Sequence, residues 1–325
     1  MHLKYYIVCI SLLTTNKMTG QDQHFSDMNH TLNYSNPSYI AVSDDAIFSA
    51  TYRNQWPGLN SAYVTYCSSI IFPVETMNST FGINLIHDNQ ARGAITKTSV
   101  SALYSYTIKV SRFVNVAAGL AVAYNFRGVD ASKFVYETDL TGMGTNLEPL
   151  NYTNYKSSFG DFSLGLTTIY DKKFFMGFSA SHITKPIEHS SDNGFNTLSR
   201  RYVLHAGGII PLTRSRRNEN ISLFPGAMFQ QQDRFQELFY GANCLIPPFS
   251  IGLWLRQDLK FYYDAMIFLT GFSWKMYNFY YSYDVNLKKI NFFSTGMGAH
   301  EVTFSVNFQY NEKRKKRGAI KCPKI

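Results

Sequence analysis

The chain has 325 residues and a formal net charge of +9, with 16% charged residues and 16% aromatic ones. Soluble domains usually carry about 25% charged residues, so a water-facing globular domain fits poorly, and no internal run of about 18 uncharged apolar residues is present to span a bilayer as a helix. A sheet that sets oily side chains against lipid and polar ones against an enclosed interior accounts for both features.

Residues 1–20, MHLKYYIVCISLLTTNKMTG, begin with Lys4, run apolar from Tyr5 to Leu13 and reach the small Gly20. That layout is a secretory signal peptide, cleaved before Gln21; a buried first strand is the alternative. Residues 21–45 are polar and lack a spanning pattern. They are expected to form a plug inside a barrel, with Phe25, Tyr34 and Tyr39 as packing groups; a disordered periplasmic arm is the alternative.

From Ala46 the residues alternate. In AIFSATYRNQWPGL, Arg53 and Gln55 share a face with Ser49 and Thr51, while Phe48, Ala50 and Tyr52 face the other way. Pro57-Gly58 is a turn signal. Val100, Ala102, Tyr104, Tyr106 and Ile108 oppose Ser99, Ser101, Ser105 and Thr107. Val302, Phe304, Val306, Phe308 and Tyr310 oppose Glu301, Thr303, Ser305, Asn307 and Gln309.

About fourteen such runs are predicted, near 46–55, 60–71, 79–88, 95–109, 113–127, 157–170, 173–184, 199–210, 219–231, 236–246, 248–257, 262–272, 275–286 and 299–310. Their length of roughly ten residues suits a tilted membrane strand. The expected fold is all-β: a transmembrane outer-membrane β-barrel of about 14 antiparallel strands over residues 46–310, with a short N-terminal plug or arm. Residues 311–325 form a basic tail.

Connections on one side are mostly short, and the longer ones, 128–156, 185–198 and 288–298, fall on the other. Short periplasmic turns and long outer loops give this asymmetry, so both termini are expected in the periplasm. Basic residues gather on that side: Lys109, Arg112, Lys172, Lys173, Arg214, Arg216 and Arg217, then Lys313, Arg314, Lys315, Lys316 and Arg317 in the tail. They could face anionic lipid headgroups or an acidic partner. Of the four cysteines, Cys9 leaves with the signal peptide, and Cys67, Cys244 and Cys322 show no metal-ligand spacing and no disulfide framework.

Several segments carry a family likeness. They are QDQHFS at the mature start, NPSY (Asn36, Pro37, Ser38, Tyr39), and YRNQWPGL with Tyr52, Arg53, Asn54, Gln55, Trp56, Pro57 and Gly58. YYSYDVN, GAHEVTFSVNF with His300 and Glu301, and the closing KCPKI with Cys322 follow. In this order they resemble the PorP/SprF-like membrane proteins of Bacteroidetes type IX secretion and gliding machinery. The resemblance implies a non-enzymatic outer-membrane barrel that acts as a scaffold or anchor. The implied partners are outer-membrane lipid, periplasmic secretion and motor components, and a secreted cargo such as a large adhesin. An outer-membrane channel for small or apolar solutes is the alternative function.

No HExxH, GxSxG, P-loop or GxGxxG motif occurs, and neither a catalytic constellation nor a cofactor is expected. His205 in YVLHAGG reads as a strand residue facing a polar lumen rather than a catalyst. The signal peptide and barrel pattern take the Lys-Arg run at 313–317 away from nucleic acid.

Overall fold

The computed structural model describes residues 22–59, 63–133, 155–191, 194–213, 221–287 and 298–308. Its strands are β1 (Ala46–Gln55), β2 (Tyr63–Val74), β3 (Ser79–Gln90), β4 (Ile95–Lys109), β5 (Val114–Val129), β6 (Tyr155–Tyr170), β7 (Phe174–Ser181), β8 (Ile187–Ser191) and β9 (Gly194–Thr197). After these come β10 (Arg201–Gly208), β11 (Ile210–Pro211), β12 (Ser222–Gln232), β13 (Phe235–Ile246), β14 (Phe249–Gln257), β15 (Tyr263–Trp274), β16 (Tyr277–Asn286) and β17 (Ala299–Phe308). The sheet is antiparallel throughout and closed, since β1 pairs with β17 and β10 pairs with both β7 and β12. β11 continues β10 past Ile209, and β8 pairs only with β9, so the ring has fourteen staves. Closure matters because an open edge in hydrocarbon would leave a row of N–H and C=O groups unpaired.

The two-residue period sorts the side chains. Phe81, Ile83 and Leu85 of β3, and Ile251 and Leu253 of β14, stand exposed on the outside. Inward positions hold small and polar groups that are buried, among them Ser69, Asn84, Asn125, Thr167, Ser179 and Asn243. The inside of a barrel this wide becomes buried only if something fills it.

β1 begins and β17 stops at the same end of the ring, where Ala46 pairs with Phe308. At this terminal end the connections after β2, β4, β6, β13 and β15 are tight turns. Interfacial pairs cluster there, with Lys275 over the Trp274 ring at 4.9 Å and Arg112 over Phe113 at 5.6 Å. The opposite end, the loop end, carries the longer connections between β5 and β6, β7 and β10, and β16 and β17.

Three local expectations change. The second strand is displaced from 60–71 to Tyr63–Val74. The seventh stops at Ser181 rather than 184, because His182 has φ 58 and leaves the extended region. The stretch 185–198, expected as a loop, contains the β8–β9 hairpin, and Glu188 of β8 is held by Arg127 of β5 at 2.5 Å.

Candidate functional site

The lumen is occupied by the chain's own residues 22–45. Helix α1 (Met28–Ser35) starts at Asp27, whose carboxylate accepts the Asn29 amide N–H, a cap that contributes about 1 kcal/mol to such a helix. Met28 and Leu32, four apart and so on one face, enter an apolar cluster with Phe224, Phe239, Trp254 and Ile267 of the wall. On another face Asn33 donates to Asn84 of β3 at 3.3 Å. Asn36 ends α1, its N–H bonding Leu32 O, and its side chain then caps the 3-10 turn Pro37–Val42 by accepting from Ser38 N at 3.0 Å.

The NPSY segment is the tightest part of this packing. Asn36 is fully buried and donates through Nδ2 to His205 Nε2 at 2.8 Å and Thr167 Oγ1 at 3.2 Å. Ser38 meets Thr167 at 2.7 Å, and Tyr39 packs edge-on against Phe175 at 5.3 Å. The wall comes this close because β5 and β6 carry glycine there. A β-carbon at Gly119 would sit 2.5 Å from the Pro37 carbonyl carbon, and one at Gly165 would overlap the Asn36 side chain.

Two ionic clusters hold the segment nearer the loop end. In the first, Arg53 of β1 is 2% exposed and pairs with Asp284 at 2.9 Å and Glu301 at 3.1 Å, and it also donates to Ser26 Oγ. The Glu301 oxygens accept the backbone N–H groups of Ser26 and Asp27 at 2.8 and 2.9 Å. Asp284 also bonds Arg256, which reaches Asp264 and Glu237. In the second cluster, Asp22 meets Lys97 at 3.1 Å and His182 at 2.5 Å, and His182 passes on to Asp161 at 2.7 Å. Gln232 accepts the Asp22 N–H, and Arg201 lies over the Tyr34 ring at 4.7 Å. A cavity of about 50 Å³, enough for a few waters, remains beside Asp22, Lys97, Asn125, Asp161, His182 and Arg201.

Of the residues singled out from sequence, Asn36, Pro37, Tyr39, Arg53 and Glu301 meet in this plugged interior. Tyr52 faces outward against Tyr66, Asn54 stands opposite His300 in the seam, and Gln55 opposite Ala299. Trp56, at φ 57, donates its N–H to Gly298 O and packs edge-on against Tyr63 before Pro57 and Gly58 turn the chain. His300 bonds the Tyr281 hydroxyl on the outer face. Arg214, Arg216, Arg217, Lys313, Arg314, Lys315, Lys316, Arg317 and Cys322 lie outside the described residues. The partners of Asp22, namely Lys97, His182 and Arg201, were not singled out. A charged residue on a small, polar inward face was their one signal.

Asp22 lies at the loop end, beside His182 just after β7 and Arg201 at the start of β10, while Asp45 leads into β1 at the terminal end; the termini themselves lie outside the described residues. The segment runs the length of the lumen.

This second cluster should respond to pH. Burial alone would push the Asp22 carboxyl up, but His182, Lys97 and Arg201 outweigh it and hold it well below 3.8. Burial alone would push His182 down, but Asp22 and Asp161 raise it from 6.5 to about 9. A depressed carboxylate stabilises above its unfolded value and is lost on acidification, whereas a raised histidine stabilises below its unfolded value and is lost as pH rises through its folded one. Protection of residues 22–25 from hydrogen exchange, corrected for intrinsic rates, should therefore hold between roughly pH 4 and 6.5 and decline as pH passes about 9. His182→Phe should remove the alkaline step; the same step in that variant would refute the assignment.

A closed, antiparallel, lipid-facing ring with its polar face enclosed defines an outer-membrane β-barrel. The chain belongs to the PorP/SprF family of type IX secretion system membrane proteins, whose family model matches residues 17–306. No match was found among curated proteins. Among solved structures the chain is similar to a Pseudomonas aeruginosa FadL homologue, at 11% identity and TM-score 0.45, covering 86% of this chain and 94% of that one. It is also similar to the P. putida toluene transporter TodX, at 10% identity and TM-score 0.46 over 85% and 94%. The Ralstonia pickettii toluene transporter TbuX gives 8% identity and TM-score 0.45 over 85% and 92%.

Proposed function

We propose that this barrel is a non-conducting scaffold of type IX secretion or gliding motility, anchoring periplasmic machinery and helping to export or surface-attach a secreted partner such as a large adhesin. The observation that carries the reading is the lumen bonded shut by residues 22–45, with charged contacts at the loop end and close packing lower down. A solute channel needs a path, and the space beside Asp22 admits only a few waters. The terminal end, with its tight turns and with Lys109, Arg112 and Lys173 exposed, is the periplasmic side and the docking rim. Lys172 there is half-buried. The basic sequences at 214–217 and 313–317, outside the described residues, are proposed to add to that charge.

Affinity purification from native membranes should retain periplasmic secretion components and a secreted cargo, and the purified barrel should be electrically silent in planar bilayers. Steady open-channel conductance from a barrel that retains no partner would establish the channel function instead.

A further inference from the structure

We propose that residues 22–45 act as an internal template for barrel closure: the last strand joins the first around a segment already in place. β1 and β17 form the closing seam, and Arg53 stands directly opposite Glu301 in its register. Asp284 of the wall also meets Arg53, but the remaining bonds of Glu301 come from the segment. Glu301 is 1% exposed, and both its oxygens accept backbone N–H groups from Ser26 and Asp27, while Arg53 donates to the Ser26 hydroxyl.

The wall at this point carries more acidic than basic side chains, with Gln230 also donating to Glu237. Arg53 and Arg256 face four carboxylates, Glu237, Asp264, Asp284 and Glu301. The segment brings two amide donors and a hydroxyl that donates to Asp284; its own carboxylate here, Asp27, is held by the Asn29 N–H and by His30 within the segment. Bringing β17 against β1 without it would press that acidic excess together in a shrinking interior. With it, the carboxylates are met as the strands meet.

The same segment also reaches the middle of the sheet. Asp22 binds Lys97 of β4, His182 after β7 and Gln232 of β12, so one short stretch ties the closing seam to strands far around the ring. Its direction argues against late entry. Asp22 lies at the loop end and Asp45 leads into β1 at the terminal end, so a closed barrel would have to admit the charged end along its whole length. At Gly119 the wall lies so close to the main chain of Pro37 and Ser38 that not even one added carbon fits between them. A sheet curling around the segment requires no threading.

The test follows disulfide formation during refolding of the full chain into lipid vesicles, with Cys9, Cys67, Cys244 and Cys322 replaced by serine. Ala50→Cys with Phe304→Cys reports the seam, since these residues stand opposite in β1 and β17. Ala102→Cys with Val122→Cys reports β4–β5, away from the seam. Ser26→Pro, which removes an amide donor and the hydroxyl, should slow seam bonding by about tenfold, as expected when a buried carboxylate loses its donors. The β4–β5 bond should form at its usual rate. Deleting residues 22–45 should have the same selective effect, and a 22–45 peptide present during refolding should restore the seam. Seam bonding at the unaltered rate in both variants would overturn the proposal. So would a peptide that seats as well after closure as during it. If the deletion also loses the β4–β5 bond, the sheet itself has failed and the Ser26→Pro pair of rates decides.

Discussion

Arg53→Ala should lower the stability of the closed barrel by about 3–5 kcal/mol, the range for removing one partner of a buried ion pair and leaving the other uncompensated. The guanidinium bonds Asp284 and Glu301 from one fork and donates to Ser26, so its loss leaves Glu301, 1% exposed, without a counter-ion and Asp284, 3% exposed, with Arg256 as its cation. Water entering a loosened lumen would lessen the cost but would also free the segment. Two readouts should therefore move together: the temperature at which the band shifts on semi-native electrophoresis, and protease access to residues 22–45 in intact barrels. Arg53→Lys keeps the charge but loses the planar two-pronged geometry, and should recover only part of each. Unchanged melting and unchanged protection in the alanine variant would show that the cluster is not what holds the segment.

Gly119→Ala should unseat the lower half of the segment while leaving the ring assembled. The added carbon meets main-chain atoms of Pro37 and Ser38, which cannot swing aside as a side-chain tip can. Ser105, close by on β4, donates to Ser38 O at 3.5 Å, and Ser179 of β7 donates to Ser35 O at 2.7 Å, so displacement also breaks wall contacts. Each buried backbone group left without a partner costs about 1–3 kcal/mol. Where the parent is silent in planar bilayers, this variant should show discrete openings. Ala118→Gly, at the neighbouring outward-facing position, serves as the control and should stay silent. A silent Gly119→Ala barrel with the 3-10 turn still protected would mean that the wall has yielded instead.

Much of the architecture could be read directly because lipid imposes a strict rule. An outward position must be apolar and an inward one need not be, so the alternation in 95–109 and 299–308 shows which face each residue takes. Turn length did the same for the two ends. The interior obeys no such rule. Asp22 and Lys97 lie 75 residues apart in sequence, and neither has a local feature naming the other. A water-filled lumen would accept the same charges unpaired, so their meeting depends on a packing that only the folded chain specifies. Helix α1 is too short for a convincing period, and its stability comes from Met28 and Leu32 docking on Trp254 and Phe224. Gly119 and Gly165 were available signals, since glycine inside a strand marks a close backbone approach, but they went unread. Arg53 stood out through its family-like setting, and its contact with Ser26 gives that setting a physical content.

The direction of the enclosed segment has a topological consequence. An even number of passes returns a polypeptide to the side it left, and fourteen staves alone would do so. The run from Asp22 to Asp45 adds one more transit without touching lipid, so the parity becomes odd. Asp22 and Phe308 therefore lie at opposite ends of the ring, so the first and last described residues are separated by the height of the barrel wall.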